Sequence, residues 1–241
     1  MHFGTRVIAD VNANRISEKT PTSVRKNFFM DRRLRGGDNM GQLIVSEFVT
    51  LDGVMQAPGG PEEDTEGGFK HGGWQAPLLD EESLSLITRD IGRMDALLLG
   101  RKTYDIFAAY WPKATTGEIA DKLNNAPKFV ASRSRRKLEW NNSTLIQGDL
   151  SKEVARIKQK HGEVHVMGSG NLVQTLLRHD LVDRFNLWVY PLLLGTGKRL
   201  LGEGTVPAGL RLTSSRAFPK GAIHLAYERA GKPKYGLSIE A

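Results

Sequence analysis

From residue 42 onward the apolar positions switch repeatedly between the two-residue period of a strand and the three-to-four-residue period of a helix. QLIVSEFVT, Gln42–Thr50, is rich in β-branched and apolar residues and predicts a first strand. Periodicity then stops across 51–77, where glycine, proline and acids predict a long loop carrying Phe69, His71 and Trp74. Over 80–94 the spacing of Leu84, Ile87 and Ile91 predicts a helix, and the unbroken apolar run 96–99 predicts a strand covered on both faces. A helix over 102–110 must stop before Pro112. Strands follow at 129–131 and 144–146, a helix containing 154–159, a strand at 164–167 and a helix at 172–178. Residues 183–194 read as one long strand in which Pro191 marks an edge, bulge or bend. After a loop over 195–204, strands at 210–217 and 223–228 follow with no helix between them. Helices alternating with strands, then strands alone, predict an α/β domain with a mixed, mostly parallel sheet over 40–230 and a loose tail over 231–241.

Residues 1–39 do not share this patterning. They read as a disordered basic extension: eight Lys/Arg against four Asp/Glu contribute +4 of the chain's net +7. The remaining 202 residues are therefore close to neutral, and the basic total is not a nucleic-acid signature. No apolar run is long enough for a secretory leader or a membrane span. The absence of cysteine excludes disulfides, thiolate metal sites and cysteine nucleophiles, and suits a cytoplasmic protein. The six histidines have no metal-ligand spacing, and nucleophile-elbow, Walker and zincin motifs are absent.

Three strand-to-loop junctions carry the chemistry, because in open α/β sheets ligands collect where strands end and helix N-termini begin. In LLLGRKTYD a buried strand runs into Gly100, Arg101, Lys102 and Thr103, which suits either a phosphate or an ordinary helix start. In VHVMGSGNLVQTLL a Gly-x-Gly at Gly168, Ser169 and Gly170 precedes a helix, although Val173 replaces the third glycine of the dinucleotide fingerprint. In FVASRSRRK a strand delivers Ser132 and then four cations within 133–137, either a solvated run or a site for a phosphate dianion. A fourth element, Asp52-Gly53 at the end of the first strand, is either a turn or a substrate contact.

In this order, TLDG, LLLGRKTYD, FVASR, VHVMGSGNLVQTLL and LWVYPLLLGTGKRL resemble the dihydrofolate reductase-like superfamily. Within it the likeness is to the C-terminal reductase domain of the bifunctional riboflavin-biosynthesis deaminase-reductase, in a stand-alone bacterial form, over about residues 40–229. The resemblance implies a three-layer α/β fold, NADPH as cofactor, and hydride transfer to a small heterocycle. That substrate would be of the 5-amino-6-(5-phosphoribosylamino)uracil or pterin type. It implies that Gly100, Arg101 and Thr103 bind phosphate and ribose, that Ser132 and Arg133 meet the 2′-phosphate, and that Gly168, Ser169, Gly170, Asn171 and Leu172 cradle the pyrophosphate. Asp52, Gly53 and Trp74 would lie near nicotinamide and substrate, with Asp52 a possible proton donor. Classical relatives also use a carboxylate on the first helix, for which Asp80, Glu81 and Glu82 offer no secure match. The zinc-dependent deaminase half is missing. A homodimer is implied, with 187–194 as its apolar edge. The alternative reading is a non-catalytic NADPH- or pterin-binding protein on the same fold.

Overall fold

The computed structural model describes residues 40–134 and 137–236. The extension at 1–39, the cations Arg135 and Arg136, and the end of the tail at 237–241 lie outside the described residues.

Eight strands form one sheet: β1 (Gln42–Thr50), β2 (Ala96–Gly100), β3 (Lys128–Ala131), β4 (Ser143–Ile146), β5 (Glu163–Val166), β6 (Arg184–Tyr190), β7 (Leu210–Ala217) and β8 (Ile223–Arg229). Their order across the sheet is β4-β3-β2-β5-β1-β6-β8-β7. The first six are mutually parallel, whereas β8 runs antiparallel to β6 and β7 antiparallel to β8. The mixed sheet expected from the sequence is therefore present, in the dihydrofolate reductase-like arrangement.

Five α-helices of the described residues cover it. On one face α1 (Glu81–Arg93), α2 (Arg101–Tyr110) and α3 (Glu118–Asn125) pack against Leu97, Leu99 and Val130 through Ile87, Ile91, Tyr104, Ile119 and Leu123. On the other, α4 (Leu150–Lys160) and α5 (Gly170–Arg178) bury Val154, Ile157, Val173 and Leu176 against Leu43, Val45, Leu98 and Val164. Strand β2 is apolar throughout because both faces are covered, whereas β7 closes the sheet as an exposed edge. Helix α1 starts where its sequence dictates: Asp80 and Ser83 form a reciprocal capping box.

Three sequence expectations change. Helix α3 is absent from the sequence reading, because eight residues after a proline give too few turns to establish a period. The long strand expected over 183–194 ends at Tyr190, since Pro191 has no N–H to continue a ladder. It is also no edge, being paired with β1 on one side and β8 on the other, so 187–194 is not the dimer edge. The long loop, expected without regular structure, is pinned to the sheet at Trp74 and Gln75. Trp74 donates its indole N–H to the Gln56 carbonyl at 2.8 Å and stacks edge-on against Tyr190, while Gln75 donates to the Tyr190 hydroxyl at 2.8 Å.

One buried cation has a purely structural task. Lys128 is 0% exposed at the start of β3. Its ammonium donates to the carbonyls of Asn124, Ala126 and Asn141 at 2.9, 2.9 and 3.0 Å and lies 4.2 Å from the Trp140 ring centroid. All three donors are thus satisfied, joining the end of α3 to the entry of β4. Burial pulls its pKa down to about 8, which leaves it charged at neutral pH.

Candidate functional site

The site follows from the topology. The helices after β2 and β5 cover opposite faces of the sheet although the strands are neighbours, and a crevice must open between such helices at the carboxyl ends of the strands. A second opening adjoins it. β1 pairs with β5 only as far as Val45↔Val166, yet it continues alongside β6 to Thr50↔Tyr190. From Ser46 onward the β1 edge that faced β5 is without a strand partner. Together the two openings form a cavity of about 990 Å³.

Two helix N-termini point into it. α1 and α4 are capped by the side chains of Asp80 and Asp149, but α2 and α5 begin at Gly100 and Ser169 with no side-chain cap. The short α3 is also uncapped, at Gly117, which does not line the cavity. The first-turn N–H groups of α2 and α5 are therefore open to an anion, with the positive ends of both dipoles converging on it.

The two N-termini are latched together. The Gly100 N–H donates to Ser169 Oγ at 2.9 Å, and the Ser169 N–H donates to Thr103 Oγ1 at 2.8 Å. Ser169 adopts a left-handed conformation, φ 62°, and Gly168 before it has φ 57°. A Cβ on Gly168 would lie 2.7 Å from Thr103 Oγ1 and 2.8 Å from its Cγ2, so glycine is required by both torsion and space.

The structure brings all ten expected cofactor residues to this cavity: Gly100, Arg101, Thr103, Ser132, Arg133, Gly168, Ser169, Gly170, Asn171 and Leu172 line it. Thr103 serves first as the latch acceptor, which leaves its hydroxyl proton free to donate to a ligand.

The three substrate-side residues are not brought there. Asp52, Gly53 and Trp74 do not line the cavity. The Asp52 carboxylate accepts from Thr50 Oγ1 at 2.5 Å, from the Gly195 N–H at 2.8 Å and from the Leu194 N–H at 3.2 Å, with Arg199 at 3.4 Å. The Thr50 hydroxyl and the Gly195 amide hold its pKa well below the ordinary aspartate range, opposed only weakly by burial and aided by Leu194 and Arg199. A carboxyl so committed is a turn staple rather than a proton donor. Nor does the start of α1 supply one: Asp80 caps the helix and Glu82 pairs with Arg216.

The residues that do face the cavity lie where the sequence carries no motif. On the α1 side are Ser46, Asp90, His165, Asn186 and Trp188. Asp90, 8% exposed, and Asn186, 2% exposed, each have a side-chain oxygen with no protein hydrogen bond. His224 Nε2, similarly unbonded, is 3.7 Å from Asp90 Oδ2, and burial lowers the His224 pKa despite the neighbouring carboxylate. On the α5 side is Glu47, 6% exposed, with Oε1 unbonded. Burial raises its pKa well above the carboxylate norm, reinforced by the charge of Glu63. A polar residue interrupting an apolar strand, as Glu47 does in QLIVSEFVT, is the one available signal in the sequence.

A frame of side chains holds the mouth. Gln56 donates to the carbonyls of Asp64 and Glu66 and accepts from the Lys198 N–H, each at 3.0 Å. The Lys198 ammonium lies 2.5 Å from both Asp64 and Glu66; burial depresses its pKa, but the two carboxylates more than reverse this. Glu66 also pairs with Lys102 on α2, and these lysines bring its pKa down to about 2. No group of side chains with metal-ligating composition occurs among the described residues, and none of their helices is long and apolar enough to cross a membrane.

A mixed α/β sheet split between β1 and β5, with two uncapped helix N-termini locked side by side beyond the neighbouring β2 and β5, defines a protein of the dihydrofolate reductase-like fold with a cleft at the carboxyl ends of its strands. The RibD C-terminal domain model matches residues 42–224, and the chain belongs to that family, the reductase domain of riboflavin biosynthesis. It is 26% identical over 199 residues to YyaP of Bacillus subtilis (strain 168), an uncharacterized protein, covering 79% of this chain and 96% of that one. Among solved structures it is similar to a putative riboflavin biosynthesis protein from Shewanella sp. PV-4, with a TM-score of 0.58 and 21% identity over 78% of this chain and 98% of that one. It is also similar in fold to a diaminohydroxyphosphoribosylaminopyrimidine deaminase/5-amino-6-(5-phosphoribosylamino)uracil reductase from Thermotoga maritima, with a TM-score of 0.54 and 13% identity. That match covers 80% of this chain but only 57% of the bifunctional protein.

Proposed function

We propose that this protein is an NADPH-dependent reductase of a small heterocycle, of the 5-amino-6-(5-phosphoribosylamino)uracil or pterin type, acting as a soluble cytoplasmic homodimer. The observation that carries the reading is the pair of uncapped N-termini of α2 and α5, latched through Gly100, Thr103 and Ser169 at the floor of the cleft. Two converging sets of free N–H groups suit a pyrophosphate, and the glycine at 168 is needed to let them approach each other. Beside them Ser132 and Arg133 line the end of the cavity next to β3, where a guanidinium favours a 2′-phosphate over a bare hydroxyl.

When bound, NADPH would supply the hydride. The chain's part is placement and exclusion of water. Phe48 and Trp188 give the α1-side wall an apolar surface for a flat ring. The unbonded oxygens of Asp90 and Asn186 accept hydrogen bonds from ring N–H or amino groups, and Ser46 adds a hydroxyl that is 3.2 Å from His165 Nδ1. Buried acceptors without partners favour a substrate that carries donors, as aminopyrimidines and pterins do. Asp90, on the first helix, thus supplies the carboxylate that Asp80, Glu81 and Glu82 do not.

The test is titration of the purified protein with NADPH and NADH, followed by cofactor oxidation with a panel of pterins and ribosylated aminopyrimidines. Binding with preference for NADPH and turnover of a panel member is expected. Binding without turnover across the panel would favour a non-catalytic carrier of the same ligands, and no response at millimolar cofactor would sink the proposal.

A further inference from the structure

Glu47 is the buried acid that the roles above leave unused. Its side chain is 6% exposed on the α5 side of β1, and Oε1 has no hydrogen bond although it borders the cavity. It stands two residues beyond Val45, the last β1 position paired with β5, so it sits inside the split of the sheet. An unpartnered polar atom at such a place calls for a partner supplied by the ligand.

The order of strands says which part of the ligand arrives there. Ser132 and Arg133 follow β3, the two anion-binding N-termini follow β2 and β5, and Glu47 is on β1, next in the sheet. A dinucleotide with its 2′-phosphate at β3 and its pyrophosphate across β2 and β5 has only its far end left for β1. Three strand spacings, about 14 Å, separate the extremes.

The chemistry of that contact follows from the charges around Glu47. Glu63, on the loop after β1, is the charge that acts on it, and Glu63 is itself held by the Gly59 and Gly60 N–H groups. The other charges of the mouth are committed: Lys198 to Asp64 and Glu66, Arg199 to Asp52. From α5, Leu172 and the uncharged Gln174 line the cavity, and the facing residue on β6 is Leu187. Burial and the neighbouring acid both oppose ionisation, so this place in the split favours the protonated carboxyl, which is a hydrogen-bond donor.

We propose that Glu47 is a ligand-binding residue that donates its carboxyl proton to the carbonyl oxygen of the nicotinamide carboxamide, anchoring that end of the cofactor in the split between β1 and β5. This rests on the reading of the cleft as an NADPH site.

Calorimetric titrations with NADP⁺ and with 2′-phospho-ADP-ribose, which has the same phosphates but no nicotinamide, separate the two ideas. Wild-type protein should bind both. Glu47→Leu should weaken NADP⁺ by about 10- to 100-fold, the effect of a lost buried hydrogen bond, and leave 2′-phospho-ADP-ribose unchanged. Glu47→Gln, whose amide N–H can still donate, should stay within about threefold of wild type for both. Glu47→Ala is measured beside Glu47→Leu, so that a folded variant lacking a donor is in hand whichever side chain the site tolerates. Equal losses for both nucleotides, or no loss for either, would overturn the assignment of Glu47 alone. Failure of wild-type protein to bind either nucleotide would overturn the cofactor reading, and this assignment with it.

Discussion

Replacing Gly168 by alanine perturbs the latch between the two helix N-termini with one methyl group. Two terms act together. The left-handed backbone at φ 57° costs an L-residue about 1–2 kcal/mol. The new Cβ also falls 2.7 and 2.8 Å from Thr103 Oγ1 and Cγ2, inside contact distance, and such overpacking costs about 1–3 kcal/mol. Their sum, about 2–5 kcal/mol, corresponds to a fall in melting temperature of about 5–15 °C for a domain of this size. Because Thr103 must move, the Ser169 N–H loses its acceptor and the two N-termini separate, so NADPH affinity should fall at least about tenfold. Thermal denaturation and a fluorescence titration with NADPH measure the two effects. A double-mutant cycle with Thr103→Ala isolates the clash, because only Thr103 Cβ, 3.3 Å away, would remain. The double variant should be less destabilised than the two single losses added together. A Gly168→Ala protein that melts within about a degree of wild type and binds NADPH normally would refute the argument.

Four further outcomes are expected. Arg133→Ala should reduce the preference for NADPH over NADH by about 10- to 100-fold, the value of a charge-assisted hydrogen bond, in paired titrations; unchanged discrimination would remove it from the 2′-phosphate site. Lys128→Met leaves three carbonyls without their donor and should lower stability by about 2–4 kcal/mol in urea unfolding. Asp52 has a folded-state pKa below its ordinary 3.8, so its contribution is present above that pH and is lost as pH falls through the folded value; the gap in melting temperature between wild type and Asp52→Asn should be full at pH 7 and close below about pH 4. Glu47 has the opposite sign: its folded pKa is raised above 4.5, so stability declines as pH rises from there towards the folded value. Glu47→Gln should accordingly gain on wild type with increasing pH in thermal melts.

Glycines and short polar residues made the half of the cavity proposed to hold the cofactor legible in the sequence. A strand that ends in Gly100 or in Gly168-Ser169-Gly170 before a helix has few structural uses, and the positive φ at 168 confirms why glycine stands there. The proposed substrate side was not legible, because Asp90 and Asn186, and His224 behind Asp90, are isolated polar residues on three different elements. Only pairing of β6 with β1 and β8, and packing of α1 across them, brings these together. Asp52 misled for a related reason. A carboxylate after a strand can face a ligand or a neighbouring loop, and the choice depends on residues 194 and 195, more than 140 positions away. Pro191 was read as an edge, bulge or bend inside a strand running on to 194, whereas β6 stops before it and lies inside the sheet, and neither fact could be inferred from local pattern.

The placement of β1 at the heart of the sheet has a consequence for how the chain is made. β1 is the first of the described strands to be synthesised, but its ladder partners are long-range: Ile44 pairs with His165, 121 positions on, and with Arg184, 140 positions on. At ribosomal rates of about 5–20 residues per second, β1 waits roughly 7–30 s for β6 to appear. During that interval Leu43, Ile44 and Val45 have no sheet to enter, and the early product has every incentive to seek help from a chaperone or to aggregate. The cleft between β1 and β5 cannot exist in an N-terminal fragment that ends before β5. On the proposed function, a product truncated before β5 has no nucleotide site, and nucleotide binding would report only on chains made beyond that strand.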